Sequence, residues 1–75
     1  MNISHQKKVN TLKSTYVEGS VWELTKSDYK GRSCTVKSVN ELYLLVVVEI
    51  ELYNYEMKVI GRKTIQTQPT SLKSI

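Results

Sequence analysis

Seven consecutive apolar residues, Leu42 to Val48, open a stretch that returns to alternation only at Glu49 and Glu51 and runs on to Tyr53. A membrane helix needs roughly 20 such residues, so this run fits a strand with one face in a core. On that reading Leu42, Leu44, Val46, Val48, Ile50 and Leu52 share the inner face. Tyr43, Leu45 and Val47 occupy the other face, which must be covered along its first half by a helix or by another subunit.

The flanks of this strand repeat its logic. Val21-Trp22-Glu23-Leu24-Thr25 predicts a first strand with Trp22 and Leu24 inward, after a turn at Glu18-Gly19-Ser20. Residues 29–39 predict a second strand, Cys34 and Val36 inward, bent at Gly31. Asn40-Glu41 separates it from the long third strand. A fourth strand is expected over 55–60, a tight basic corner at Gly61-Arg62-Lys63, and a short fifth strand over 64–67. Pro69 ends the ladder, because proline has no amide proton to donate, and residues 69–75 read as a loose tail. Near the N-terminus Val9, Leu12 and Tyr16 recur at helical spacing, with Ser4 as N-cap, so residues 1–17 form either a short helix or a basic arm.

These elements predict a mainly β fold, a small five-stranded and strongly bent SH3-like barrel over 20–68 preceded by a short helix. With 75 residues the chain holds one domain, too small to bury a second core. Cys34 is the only cysteine, which removes an internal disulfide and a cysteine-rich metal site. That fits a reducing cytoplasm better than secretion, and the first ten residues lack the apolar segment of a signal peptide. Oligomerisation is one common way to support so small a core.

The net charge of +4 is unevenly spread. Residues 1–40 carry seven basic and three acidic side chains. Residues 41–56 carry four acidic and no basic ones, and residues 57–75 carry four basic and no acidic ones. Such a chain could bind RNA on one face or pair head-to-tail with its own copies.

No catalytic constellation emerges. His5 is the single histidine and lies in the N-terminal segment; Cys34 points into the core; Glu49, Glu51 and Glu56 lack the companion residues of a metal loop. The chain therefore reads as a binding protein without cofactor or metal, not an enzyme. Its tyrosines and Trp22 are interleaved with Lys30, Arg32, Lys37, Arg62 and Lys63, the combination of rings and cations that single-stranded nucleic acid requires.

Residues 21–69 resemble the Sm-like (Hfq-like) family of small RNA-binding barrels. The likeness rests on Val21-Trp22-Glu23-Leu24 followed by Tyr29-Lys30-Gly31, on Val36 to Leu45, and on Gly61-Arg62-Lys63-Thr64-Ile65 before a proline. Asn40 stands where that family has a loop-ordering aspartate, and Tyr43 one place after its stacking aromatic. The resemblance implies an N-terminal helix, a bent five-stranded barrel, a ring of subunits joined through strand edges, and RNA as ligand. Lys30, Arg32, Arg62 and Lys63 would meet phosphates, and Tyr43 or Tyr29 would stack a base. The pattern around Gly31 also resembles KOW modules, SH3-like barrels of ribosomal and transcription proteins. The alternative function is a protein-interaction module, an inhibitor or regulator docking on a larger enzyme through strand 42–48 and the acidic residues after it.

Overall fold

The computed structural model describes residues 3–75. An α-helix, α1 (Ile3–Thr15), precedes five strands: β1 (Val21–Leu24), β2 (Ser33–Asn40), β3 (Leu45–Tyr53), β4 (Val59–Thr67) and β5 (Leu72–Ser74). A single 3-10 turn, Pro69–Ser71, leads into β5. All strand pairings are antiparallel, in the order β4-β3-β2-β1-β5. The fold is thus mainly β with a short N-terminal helix. The sheet is open rather than closed into a barrel: β4 and β5 are its two edges, and no pairing among the described residues joins them.

The alternation read from the sequence places the core. Leu24, Cys34, Val36, Val46, Val48 and Ile50 are almost fully buried on one face, joined by Leu72, with Tyr16, Trp22, Tyr29, Leu52 and Ile65 packed around them. A bulge in β2 lies between Val36 and Ser38. It leaves Lys37 unpaired and keeps Val39 opposite core-facing Val46, so that β2 contributes apolar groups on both sides of the irregularity.

On the outer face of β3 a side-chain bridge from the same chain passes over Leu45 and Val47. Asn40, opposite Leu45, donates from Nδ2 to Oε1 of Gln66, opposite Val47, at 2.7 Å. This bond reaches across β3 from one flanking strand to the other, and both apolar residues are half-buried beneath it. Leu42 and Tyr43 do not extend the strand. They lie exposed in the turn over residues 41–44, where Asn40 Oδ1 accepts from both of their amides at 3.1 Å. Asn40 therefore orders this turn as a carboxylate would, and it also has the donor that reaches Gln66.

The C-terminal third departs most from the sequence reading. There is no corner at Gly61-Arg62-Lys63; residues 59–67 form one continuous strand. Gly61 pairs with Leu52, and the register shift between Leu52 and Tyr53 absorbs the irregularity, so the chain passes straight through. The expected tail over 69–75 is ordered instead. Pro69 starts the 3-10 turn, where its missing amide proton costs nothing. Leu72 is then buried opposite Leu24, and β5 pairs with β1. The second strand starts at Ser33, later than expected, because Tyr29 to Gly31 form a turn with Gly31 at φ +87°.

Of the two readings of the N-terminus, the helix is observed. Ser4 lies within it and is not its N-cap; residues 1 and 2 of the expected segment lie outside the described residues. Val9 is fully buried, and the Tyr16 amide closes the last turn on Leu12. Tyr16 packs its ring, tilted by 46°, against Trp22 with centroids 4.7 Å apart and donates its hydroxyl to the Pro69 carbonyl at 3.1 Å. The turn after β2 holds the helix at both its first and last turns. Lys13 pairs with the Glu41 carboxylate at 2.9 Å, and His5 Nε2 donates to the Glu41 carbonyl at 2.6 Å. So short a helix is marginal alone and is held by this docking.

The molecule is 49 Å long and 19 Å across. The β3–β4 hairpin runs beyond the core, and its turn is built on Asn54, whose Oδ1 accepts from the amides of Glu56 and Lys58. Met57 there takes the left-handed region, φ +62°, which costs an L-residue roughly 1–2 kcal/mol. Met57→Gly removes that cost and restores some unfolded-state entropy, so it is expected to stabilise the monomer by about 0.5–1 kcal/mol in urea unfolding. Destabilisation would show that the side chain packs within its own chain.

Candidate nucleic-acid interface

Extended backbone sends neighbouring side chains to opposite faces, so placing Arg62 and Lys63 inside β4 separates them. Arg62 pairs with Glu51 in the ladder and faces outward; Lys63 pairs with Ile50 and faces the core side. The expected basic corner thus becomes two sites, one on each side of the base of the β3–β4 hairpin.

On the core side the turn before β2 brings Tyr29 against the end of the core. Lys63 Nζ lies 5.6 Å from the centre of the Tyr29 ring and donates to its hydroxyl at 3.2 Å. Lys30 is exposed in the same turn, and Lys26 precedes it. Ser27 shapes this segment: its hydroxyl accepts from the Tyr29 amide and its carbonyl from the Lys30 amide. Asp28 is the acidic residue of that turn.

On the outer side Arg32 lies over the ring of Tyr53, 5.2 Å from its centre, and donates to the main-chain oxygen of Glu51. The Tyr53 hydroxyl donates to the Glu51 carboxylate at 2.8 Å. That bond pushes the phenol above its ordinary value; partial desolvation and the Glu51 charge act in the same direction, while Arg32 opposes them. Arg62 Nε lies 3.9 Å from Glu49. Arg32, Tyr53 and the two glutamates border a cleft of about 370 Å³ between Gly31–Thr35 and Glu49, Glu51 and Tyr53. Two arginines against two glutamates leave this side near neutral, whereas Lys26, Lys30 and Lys63 outweigh Asp28 on the other.

Four of the five residues singled out from the sequence, Lys30, Arg32, Arg62 and Lys63, therefore gather round the hairpin base. Tyr43 does not join them. It lies 70% exposed in the turn preceding β3, while Tyr53 ends that strand. Tyr53 takes the ring position beside the cations that the sequence reading gave to Tyr43. Its signal was present, since it follows Glu49 and Glu51 on the outward side, but the turn before β2, from which Arg32 reaches over its ring, is not written in the alternation.

Cys34 forms part of the cleft floor with its thiol turned inward, donating to the Trp22 carbonyl at 3.4 Å. Among the described residues no group of three or more histidine, cysteine or acidic side chains could hold a metal. No helix among them is long and apolar enough to cross a membrane. The chain matches no family model, no curated protein and no solved structure.

Burial raises the Cys34 thiol above its ordinary value of 9.0. The folded state thus disfavours the thiolate, and the unfolded chain releases the proton first. Stability is full below the unfolded value and falls as pH rises through it toward the raised folded value. The urea midpoint is expected to drop between about pH 7 and pH 10 by more in wild type than in Cys34→Ala. Equal drops in the two would show that the thiol does not contribute.

Proposed function

We propose that this chain binds single-stranded RNA at the base of the β3–β4 hairpin, by charge and stacking rather than by catalysis. One observation carries the reading: two cation–ring pairs, Lys63 with Tyr29 and Arg32 with Tyr53, are held on the two sides of one hairpin. Stacking of bases on aromatic rings beside cations that track the backbone is sequence-tolerant and suits an unpaired strand. Lys30, Arg32 and Lys63 meet phosphates. Tyr53, held by Glu51 on one side and Arg32 over its ring, offers its free area to a base. Arg62 faces Glu49 and contributes less.

The Sm-like reading stays part of this proposal. A helix followed by five antiparallel strands supports it, as does the ordering of the turn at residue 40 by a side-chain oxygen. The two free sheet edges, β4 and β5, leave room for the subunit association that the resemblance implies. The rival reading, a protein-interaction module built on the two-faced apolar strand, loses part of its motive because Asn40 and Gln66 already span the outer side of Leu45 and Val47. Cytoplasmic residence remains an expectation drawn from cysteine usage.

Fluorescence anisotropy with a labelled mixed-sequence single-stranded RNA tests the proposal. Log affinity is expected to fall with log salt at a slope of about −2, as for roughly three phosphate contacts at −0.7 each. Arg32→Ala with Lys63→Ala is expected to weaken binding by more than about tenfold and to flatten the slope. Tyr53→Ala is expected to lose roughly 1–3 kcal/mol with the slope unchanged. No binding at low salt, or equal binding by these variants, contradicts the assignment.

A further inference from the structure

An exposed apolar tip and a half-buried apolar groove lie at opposite ends of β3. At its C-terminal end the hairpin turn projects Tyr55, 95% exposed, and Met57, 76% exposed. At its N-terminal end Leu12, Leu44 and Pro69 line a groove of about 380 Å³ whose rim carries Lys7 and Lys8. Each surface contains a bulky apolar residue in left-handed backbone, Met57 at φ +62° and Leu44 at φ +55°. Glycine or asparagine takes that conformation with less strain. Both side chains are therefore held against local preference, and neither belongs to the buried core of its own chain.

The two surfaces match in character. Tyr55 and Met57 supply apolar groups of a size the groove can admit. Glu56 stands between them, and its Lys58 partner, 3.7 Å away, is even more solvent-exposed, so the pairing is easily exchanged. Among the described residues no acidic side chain pairs with Lys7 or Lys8. The nine residues of β3 separate tip from groove by about 30 Å at 3.3 Å per residue. A tip cannot fold back into the groove of its own chain.

We propose that the hairpin tip Tyr55–Met57 of one copy enters the Leu12–Leu44–Pro69 groove of the next, joining copies head to tail. Glu56 then exchanges Lys58 for Lys7 or Lys8. Two different surfaces meet, so the contact is heterologous, and copies add into an open chain or into a ring if the rotation closes. One tyrosine and one methionine cover well under the ~800 Å² per partner of a standard interface. Association is accordingly weak and rises with concentration. The proposal does not rest on nucleic-acid binding, for it uses neither Arg32 nor Lys63.

Sedimentation of the full chain without RNA, from about 10 µM to 1 mM, tests it. The weight-average mass is expected to climb from the 8.6 kDa monomer to at least double. Tyr55→Ser with Met57→Gly removes the tip, and Leu44→Asn with Lys8→Glu removes the groove while asparagine keeps the left-handed turn. Each variant alone is expected to stay monomeric. Mixed, they retain one intact tip and one intact groove and are expected to form a 1:1 dimer and nothing larger. Circular dichroism checks folding; should the groove variant unfold, Lys7→Glu with Lys8→Glu replaces it and is expected to weaken association several-fold. A wild-type chain monomeric at the highest concentration overturns the proposal. So do variants that associate like wild type, and a mixture that stays monomeric.

Discussion

The rest of the structure depends on the burial of one side of β3. Val46, Val48 and Ile50 are at most 1% exposed. Removing three such side chains from water contributes on the order of 5 kcal/mol or more, comparable with the whole net stability of a small domain. That burial fixes the register of the strand, since a slip by one residue would turn Glu49 and Glu51 into the core. With the register fixed, the face of Tyr53 is set, and the positions of Arg62 and Lys63 follow from pairing with β3. So do the opposite placements of Leu44 and the hairpin tip.

The turn between β2 and β3 is the second fixed point. Asn40 orders it, Glu41 anchors both Lys13 and His5 of the helix, and Leu44 ends it in left-handed backbone. Docking of α1 is thus tied to the same turn that starts the central strand. The Tyr16 contacts to Trp22 and Pro69 tie the C-terminal end of the helix to β1 and to the approach of β5. A chain of this size without disulfides gains from such cross-ties, because each links segments distant in sequence to a small core.

The inner face of the sheet was legible in the sequence because period-two alternation directly encodes burial. Leu24, Cys34, Val36, Val46, Val48 and Ile50 all lie where that alternation places them. The C-terminal third was not legible. Gly61 beside two cations has the composition of a corner, and only its pairing with Leu52 shows that the strand continues. Residues 72–74 have no strand-like composition, and β5 forms because β1 presents an unpaired edge and Leu24 a place for Leu72. Segment 29–32 and strand β4 both border the hairpin base, but the basic corner expected at Arg62 and Lys63 is split between the two faces because both residues lie in extended strand. Tyr43 fell elsewhere because the apolar run was read as strand from Leu42 onward, whereas Asn40 bends its first three residues into a turn.

The central claim places RNA at the hairpin base, with the two ends of β3 left to other contacts. Amide chemical shifts of the labelled protein during titration with a mixed-sequence single-stranded RNA test this most directly. The result expected is a contiguous set of perturbed residues covering Tyr29, Lys30, Arg32, Tyr53 and Lys63, with Tyr43 and Tyr55 unmoved. Perturbations centred on Lys7, Lys8 and Tyr43, or none at low salt, would contradict it.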